Sequence, residues 1–150
     1  MSLAPRLDYA RLAPKAFQGL LTLSGAMNRK LLGARLVDLV LLRVSQINGC
    51  GYCVDMHWRD LMKMDADPRH LNAVAAWREA PFFTERERAA LRWAEVVNAI
   101  PVQDPDDDEF RRLQSHFRDD EIAELGFVLV TIRAWNTLNV SFRNPVPETA

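Results

Sequence analysis

Apolar positions along this chain recur three and four residues apart, and no segment sustains the period-two alternation a strand requires. Pro14 fits the first turn of a helix running to about Arg29, with Phe17, Leu20, Leu21 and Leu23 apolar. A second helix spans about Ala34 to Ile47, and Asn48-Gly49 supplies its stop. It is apolar nearly all round (Leu36, Val37, Leu39, Val40, Leu41, Leu42, Val44), which places it in a core or between subunits. The next helix runs from about Cys50 to about Asp65. Pro68 opens a short one through Trp77, and Pro81 breaks the pattern.

Thr84 followed by Glu87 is a capping box for a helix of about Glu85 to Ala99. Asp104 to Glu109 places negative charge at the start of another helix, where the dipole favours it. Asp106 to Glu109 reads as a solvated cap, since a cation site there lacks the spacing of a calcium loop. A last helix extends from about Asp120 to Phe142, before Pro145 and Pro147. With no internal repeat or dividing linker, the pattern predicts one all-α domain over residues 1–150, built from six or seven helices.

At 150 residues the chain can bury a core without staples, and its apolar and charged fractions are those of a soluble globular protein. A net charge of −1 gives no basic footprint and argues against nucleic acid as a partner. Met1 to Arg6 carries no apolar signal-peptide core, and the longest nearly uncharged stretch, Leu125 to Ile132, is far short of the roughly 20 residues of a membrane span. The expectation is a soluble, cytoplasmic protein without a membrane partner.

The chemistry concentrates in two cysteines, Cys50 and Cys53. A disulfide framework of a secreted protein uses more cysteines, spread to close longer loops; a lone close pair points to redox chemistry or metal binding. At i and i+3 around a helix start, the two point to one side, and their separation suits a disulfide. Unpaired amides and the positive dipole end there favour thiolate over thiol. His57 lies one further turn on, so a thiolate, a resolving partner and a base share a turn and a half.

The competing readings are weaker. Two inert buried thiols would not need this spacing or this place at a helix start. Zinc held by Cys50, Cys53 and His57, with Asp38 or water as the fourth ligand, lacks the usual second knuckle. Haem attachment requires His directly after the second Cys, and Val54 is there. Neither a resident metal nor a cofactor is therefore expected. Asp38 sits among Leu36, Val37, Leu39 and Val40, where a carboxylate needs a partner, and an ion pair with Arg35 or Arg43 would supply one. His70 and His116 read as surface residues, Arg133 and Asn136 as interhelical hydrogen-bonders, and Trp58, Trp77, Trp93 and Trp135 as core or interface aromatics. Phe82 and Phe83 are candidates for a subunit contact.

The segment Arg35 to His57 resembles the core motif of the AhpD-like, carboxymuconolactone decarboxylase superfamily: an acidic residue, eleven residues, then C-x-x-C-x-x-x-H. Here these are Asp38, Cys50, Cys53 and His57. "LRVSQINGCGYCVDMH", "AWREAPFFTERERAALRWAE" and "AWNTLNVSFR" extend the likeness from about Asp8 to Arg143. The resemblance implies a thiol-dependent peroxidase reducing alkyl hydroperoxides. Cys53 would attack the peroxide, Cys50 would resolve the sulfenic acid as a disulfide, and His57 with Asp38 would relay protons. It also implies a helical trimer or hexamer, re-reduced by a thiol or lipoyl-type reductant protein. Two positions depart from the pattern: Asp38 stands where the family usually has Glu, and Tyr52 where the best-known peroxidase has His. Those departures keep a second reading open, a redox sensor or thiol-disulfide exchange protein using the same pair. A non-redox decarboxylase, from which the superfamily takes its name, would need neither cysteine.

Overall fold

A helix apolar on every side must be surrounded, and here it is. The computed structural model describes residues 4–149. The chain forms α1 (Tyr9–Leu12), α2 (Pro14–Ala26), α3 (Arg29–Leu32), α4 (Ala34–Asn48), α5 (Gly51–Lys63), α6 (Pro68–Asn72), α7 (Glu85–Asn98), α8 (Asp107–Gln114) and α9 (Asp119–Phe142), with a 3-10 turn at Val74–Ala76. Among the described residues there is no strand, so the fold is all-α. Six helices (α2, α4, α5, α7, α8 and α9) have eight residues or more, matching the six or seven expected.

α4 lies against α5, α7 and α9, and every residue from Leu36 to Ser45 except Arg43 is buried. Its two sides feed two clusters. Leu36, Val37, Val40, Leu41 and Val44 meet Ala90, Ala94, Leu125, Val128 and Ile132 from α7 and α9. Leu39 and Leu42 meet Leu61, Leu71, Val74, Trp77 and Leu91. Each such leucine, withdrawn from water, stabilises the fold by about 1.5–3 kcal/mol before chain entropy is set against it. The polar rim is paired across helices: Arg35 donates to Glu87 and Arg43 to Glu95, both from α4 to α7.

The end of α4 fixes the start of α5. Gly49 takes a left-handed φ of 69°, its N–H reaches the Gln46 carbonyl, and the Cys50 N–H reaches that of Ser45 at 3.0 Å. These are the two bonds of a Schellman stop, and only a residue without Cβ adopts that φ without strain. The reversal leaves Cys50 as the N-cap of α5. Thr84 and Glu87 make both bonds of the expected capping box, and Asp106 caps α8 through the Glu109 N–H.

Two expected boundaries differ for local reasons. The helix opened by Pro14 ends at Ala26, because the Asn28 side chain caps a new turn, accepting from the Leu31 N–H at 3.1 Å. The stretch from Pro68 to Trp77 breaks after Asn72 into the 3-10 turn. No helix among the described residues is long and apolar enough to cross a membrane.

Candidate active site

The turn after α4 delivers both cysteines to the first turn of α5. Cys50 and Cys53 form a disulfide with a Cα–Cα distance of 5.3 Å, and the Cys53 N–H points at Cys50 Sγ at 3.3 Å. Both residues are almost wholly buried, yet they line different cavities. Cys53 contributes to the wall of a pocket of about 640 Å³, shared with Tyr9, Phe17, Leu21, Met56 and Trp135. Cys50 lines a second cavity of about 540 Å³, bounded by Gly51, Val146 and the oppositely charged Arg143 and Glu148. Tyr52, Asn139 and Asn144 border both.

His57 follows Cys53 by one turn of α5 and is buried, as is Asp38 on α4. The His57 Nδ1 and the Asp38 Oδ1 face each other at 3.7 Å, and neither atom has another hydrogen-bond partner. That is longer than a direct bond, the kind of separation that tightens when a proton arrives between base and carboxylate. The other Asp38 oxygen accepts from Arg29 at 2.6 Å. Burial works against the charged Asp38 carboxylate, but His57 and Arg29 outweigh it and hold its pKa below the ordinary range. The partner of Asp38 is therefore Arg29, not Arg35 or Arg43, which are engaged with α7. Arg29 reaches it because Asn28 restarts the helix there.

Sequence reasoning missed Asn139. Its Nδ2 donates to Cys53 Sγ at 3.4 Å, while its Oδ1 accepts from the Tyr9 hydroxyl at 2.7 Å and the Asn144 Nδ2 at 3.0 Å. Two donors on the oxygen fix the amide with its NH2 toward sulfur. Burial, then the nearby Tyr52 and Asp8, push the Tyr9 pKa up, so its hydroxyl stays a donor. The one available signal was an asparagine three residues after Asn136 in an otherwise apolar helix. Asn136 itself is the interhelical bonder expected of it, donating to Ser45 and accepting from Asn48. Arg133 donates to the Ile100 carbonyl. His116 is exposed, and His70 is half-buried, stacked on Phe82.

The oxygen and nitrogen donors that converge within 4.8 Å among the described residues are Asp38, His57 and Asp60, without either sulfur. The zinc set weighed from the sequence is thus not the set the fold assembles, and Arg29 already neutralises Asp38.

Residues 14–96 match the model of the carboxymuconolactone decarboxylase family. The chain belongs to this family. The crystal structure of a protein of unknown function from Agrobacterium tumefaciens, described as a candidate antioxidant defence protein AhpD, superposes with a TM-score of 0.92 at 36% identity, over 96% of this chain and 99% of that one. The uncharacterized protein YdfG of Bacillus subtilis (strain 168) is 27% identical over 95% of this chain and 97% of its own. The debrominase Bmp8 shares the fold at a TM-score of 0.76 and 20% identity, over 89% of this chain and 70% of that one. The carboxymuconolactone decarboxylase fold therefore carries more than one chemistry, and the reaction here has to be argued from the site.

Proposed function

We propose that this chain is a single-domain dithiol peroxidase that reduces uncharged organic hydroperoxides. The observation that carries this reading is a cysteine pair at a helix start, one member of which, Cys53, lines an apolar pocket and accepts a bond on its sulfur from a fixed amide.

In the reduced protein, the Cys53 thiol gives its proton to His57, with Asp38 stabilising the imidazolium. The thiolate is favoured by the amides of α5 and by Asn139 Nδ2. It attacks the terminal peroxide oxygen, the O–O bond breaks, and the alkoxide takes the proton and leaves as the alcohol. Cys53 is then a sulfenic acid. Cys50, three residues before it on the cap, attacks that sulfur; water leaves and the disulfide forms. Two electrons pass from the cysteines to the peroxide, and an external thiol reductant must return them.

The pocket sets the substrate class. Its walls include Leu7, Phe17, Leu21, Met56, Trp135 and Phe142, and among the described residues its one carboxylate is Asp8, with no Lys or Arg. A bulky, uncharged hydroperoxide suits it better than an anionic one. Assembly as a trimer or hexamer, which the resemblance implies, is supported by the exposed Phe127 and Val130 on one side of α9. Light scattering measures it.

The test is a thiol count on fully reduced protein, without metal or air, before and after one equivalent of cumene hydroperoxide. Loss of both thiols within seconds, absent in Cys53→Ser, is the expected result. Thiols that persist for many minutes would overturn the peroxidase and leave the disulfide-exchange reading. Turnover surviving in the double Cys→Ser variant would point to a reaction without thiols.

A further inference from the structure

Asp38 and His57 meet where α5 packs on α4, and a third donor joins them. Asp60 follows His57 by three residues, which puts both on one face of α5. One donor atom from each of Asp38, His57 and Asp60 lies within 4.8 Å of the other two. The Asp38 and His57 side chains are 3% and 7% exposed, while that of Asp60 is 35% exposed and opens the cluster to solvent. None of the three lines the Cys53 pocket.

A proton shared between imidazole and carboxylate accounts for two of these groups but gives Asp60 nothing to do. The facing atoms, Asp38 Oδ1 and His57 Nδ1, are buried 3.7 Å apart with no hydrogen-bond partner, a costly arrangement for two polar atoms. Two ligands of a tetrahedral zinc ion, each about 2.1 Å from the metal, stand about 3.4 Å apart, so the gap is close to the one a cation fills. The existing ion pairs leave room for it. Arg29 takes the other Asp38 oxygen, Oδ2, and Lys63 takes Asp60 Oδ1 at 2.9 Å, a surface pair on a long exposed stem that yields at small cost. An imidazole nitrogen beside two carboxylates selects a transition metal such as zinc over magnesium or calcium.

We propose that Asp38, His57 and Asp60 form an exchangeable site for a divalent transition-metal ion of the zinc type, and that filling it switches off the base that serves Cys53. The ion takes the lone pair of His57 Nδ1, and Asp38 Oδ1, an Asp60 oxygen and water complete four ligands. The one ring proton then sits on Nε2, so the imidazole has no lone pair left to accept the proton of the Cys53 thiol. The metal-bound protein keeps its cysteines, its pocket and its fold but loses its proton acceptor. Binding stands on the cluster alone, whereas inhibition rests on the thiol chemistry proposed above.

Oxidised protein separates the two, because the closed disulfide removes both thiols as competing ligands. Zinc chloride is titrated into it by calorimetry, and the imidazole nitrogens are followed by NMR. One zinc per chain is expected, with the Nδ1 resonance of His57 moving and those of His70 and His116 unmoved. Asp60→Asn, a half-exposed substitution outside the proton path, should weaken binding at least about tenfold, the loss that even an outer partner of a metal ligand brings. Asp60→His supplies another zinc donor and should retain binding. No zinc bound, or binding undiminished in Asp60→Asn, overturns the proposal.

In the reduced protein, saturating zinc should slow oxidation by cumene hydroperoxide about a hundredfold, the scale of a lost general base. Asp60→Asn should match the unsubstituted rate without zinc and resist inhibition by it. Equal inhibition of Asp60→Asn would place the metal on the thiols and overturn the switch. Reduced protein that ignores the hydroperoxide without zinc sinks the peroxidase reading, and the titration of oxidised protein still decides the metal site.

Discussion

Asn139 places its amide Nδ2 3.4 Å from the Sγ of Cys53, although the two lie 86 positions apart in sequence. The bond joins the last helix to the start of α5 and aims a donor at the sulfur of the cysteine that lines the apolar pocket. A donor to sulfur matters most when the sulfur is charged, because hydrogen bonds to ionised groups are worth about 1.5–3 kcal/mol against about 1 for neutral ones.

Asn139→Ala should therefore raise the apparent pKa of the Cys53 thiol and slow its reaction with hydroperoxide about tenfold or more. The check is the pH dependence of iodoacetamide alkylation of the reduced protein. Tyr9→Phe, which removes one of the two donors that fix the amide, should shift the same profile in the same direction by less. A profile unmoved by Asn139→Ala would reduce this contact to packing.

The proton path predicts a different signature. Asp38→Asn removes the carboxylate that faces His57 and leaves Arg29 without its ion partner. Peroxide oxidation of the reduced protein should slow by about ten- to a hundredfold, within the range of a general acid-base contribution. Asp38→Glu keeps the charge and should retain more of the rate than Asp38→Asn. Arg29→Ala should destabilise the fold by about 1–3 kcal/mol, toward the lower end because the Arg29 side chain is 38% exposed and water screens the pair. Stopped-flow oxidation and urea denaturation read the two effects separately.

The sequence showed the helices, the Schellman stop, both caps and the cysteine pair because each depends on residues within one turn of each other. Gly49 needs only its own φ, and Thr84 and Glu87 are three apart. Missing from the sequence reading were the long-range partners. Arg29 lies nine positions before Asp38, and its approach depends on the break at Met27 and the new cap at Asn28. Arg35 and Arg43 looked equally close along the helix, but their side chains are taken by Glu87 and Glu95 across the packing with α7. Asn139 and Tyr9 meet over 130 positions, and no local pattern encodes that distance. That Cys53 and Cys50 line different cavities likewise depends on where the segment after α9 crosses Gly51.

Stability should fall in acid with a defined sign. Asp38 and Glu95 both have pKa values below their ordinary ones: burial opposes the charge, and for Glu95 the bonds from Arg78, Trp77 and Arg43 overcome it. A carboxylate depressed in the folded state binds fewer protons there than in the unfolded chain. Its contribution is complete above the unfolded value, about 3.9 for Asp and 4.3 for Glu, and is lost as the pH falls through the lower folded value. Thermal midpoints should thus hold between pH 5 and 7 as far as these groups decide and drop below about pH 4. The drop should be shallower in Glu95→Gln, which starts lower but has one proton fewer to take up. An equally steep decline in that variant would assign the acid sensitivity to other carboxylates.

Substrate choice follows from the walls of the Cys53 pocket. Phe17 and Leu21 come from α2, a helix with no buried residue, while Met56 and Tyr52 come from α5 and Trp135 from α9. Trp135 donates to Ser24 at 2.7 Å and so fastens α2 over the opening. An apolar hydroperoxide gains by leaving water for such walls, at about 25 cal/mol per Å² buried, and hydrogen peroxide gains almost nothing. The ratio of kcat/KM for cumene hydroperoxide to that for hydrogen peroxide should exceed ten, and Leu21→Trp should lower it by filling the space the ring uses. A hydroperoxide bearing a carboxylate should react more slowly than its methyl ester, since among the described residues the pocket offers it Asp8 and no Lys or Arg. Asp8→Asn should narrow that gap without changing the rate with the ester. If acid and ester react equally in the unsubstituted protein, the pocket is not the route by which peroxide reaches Cys53.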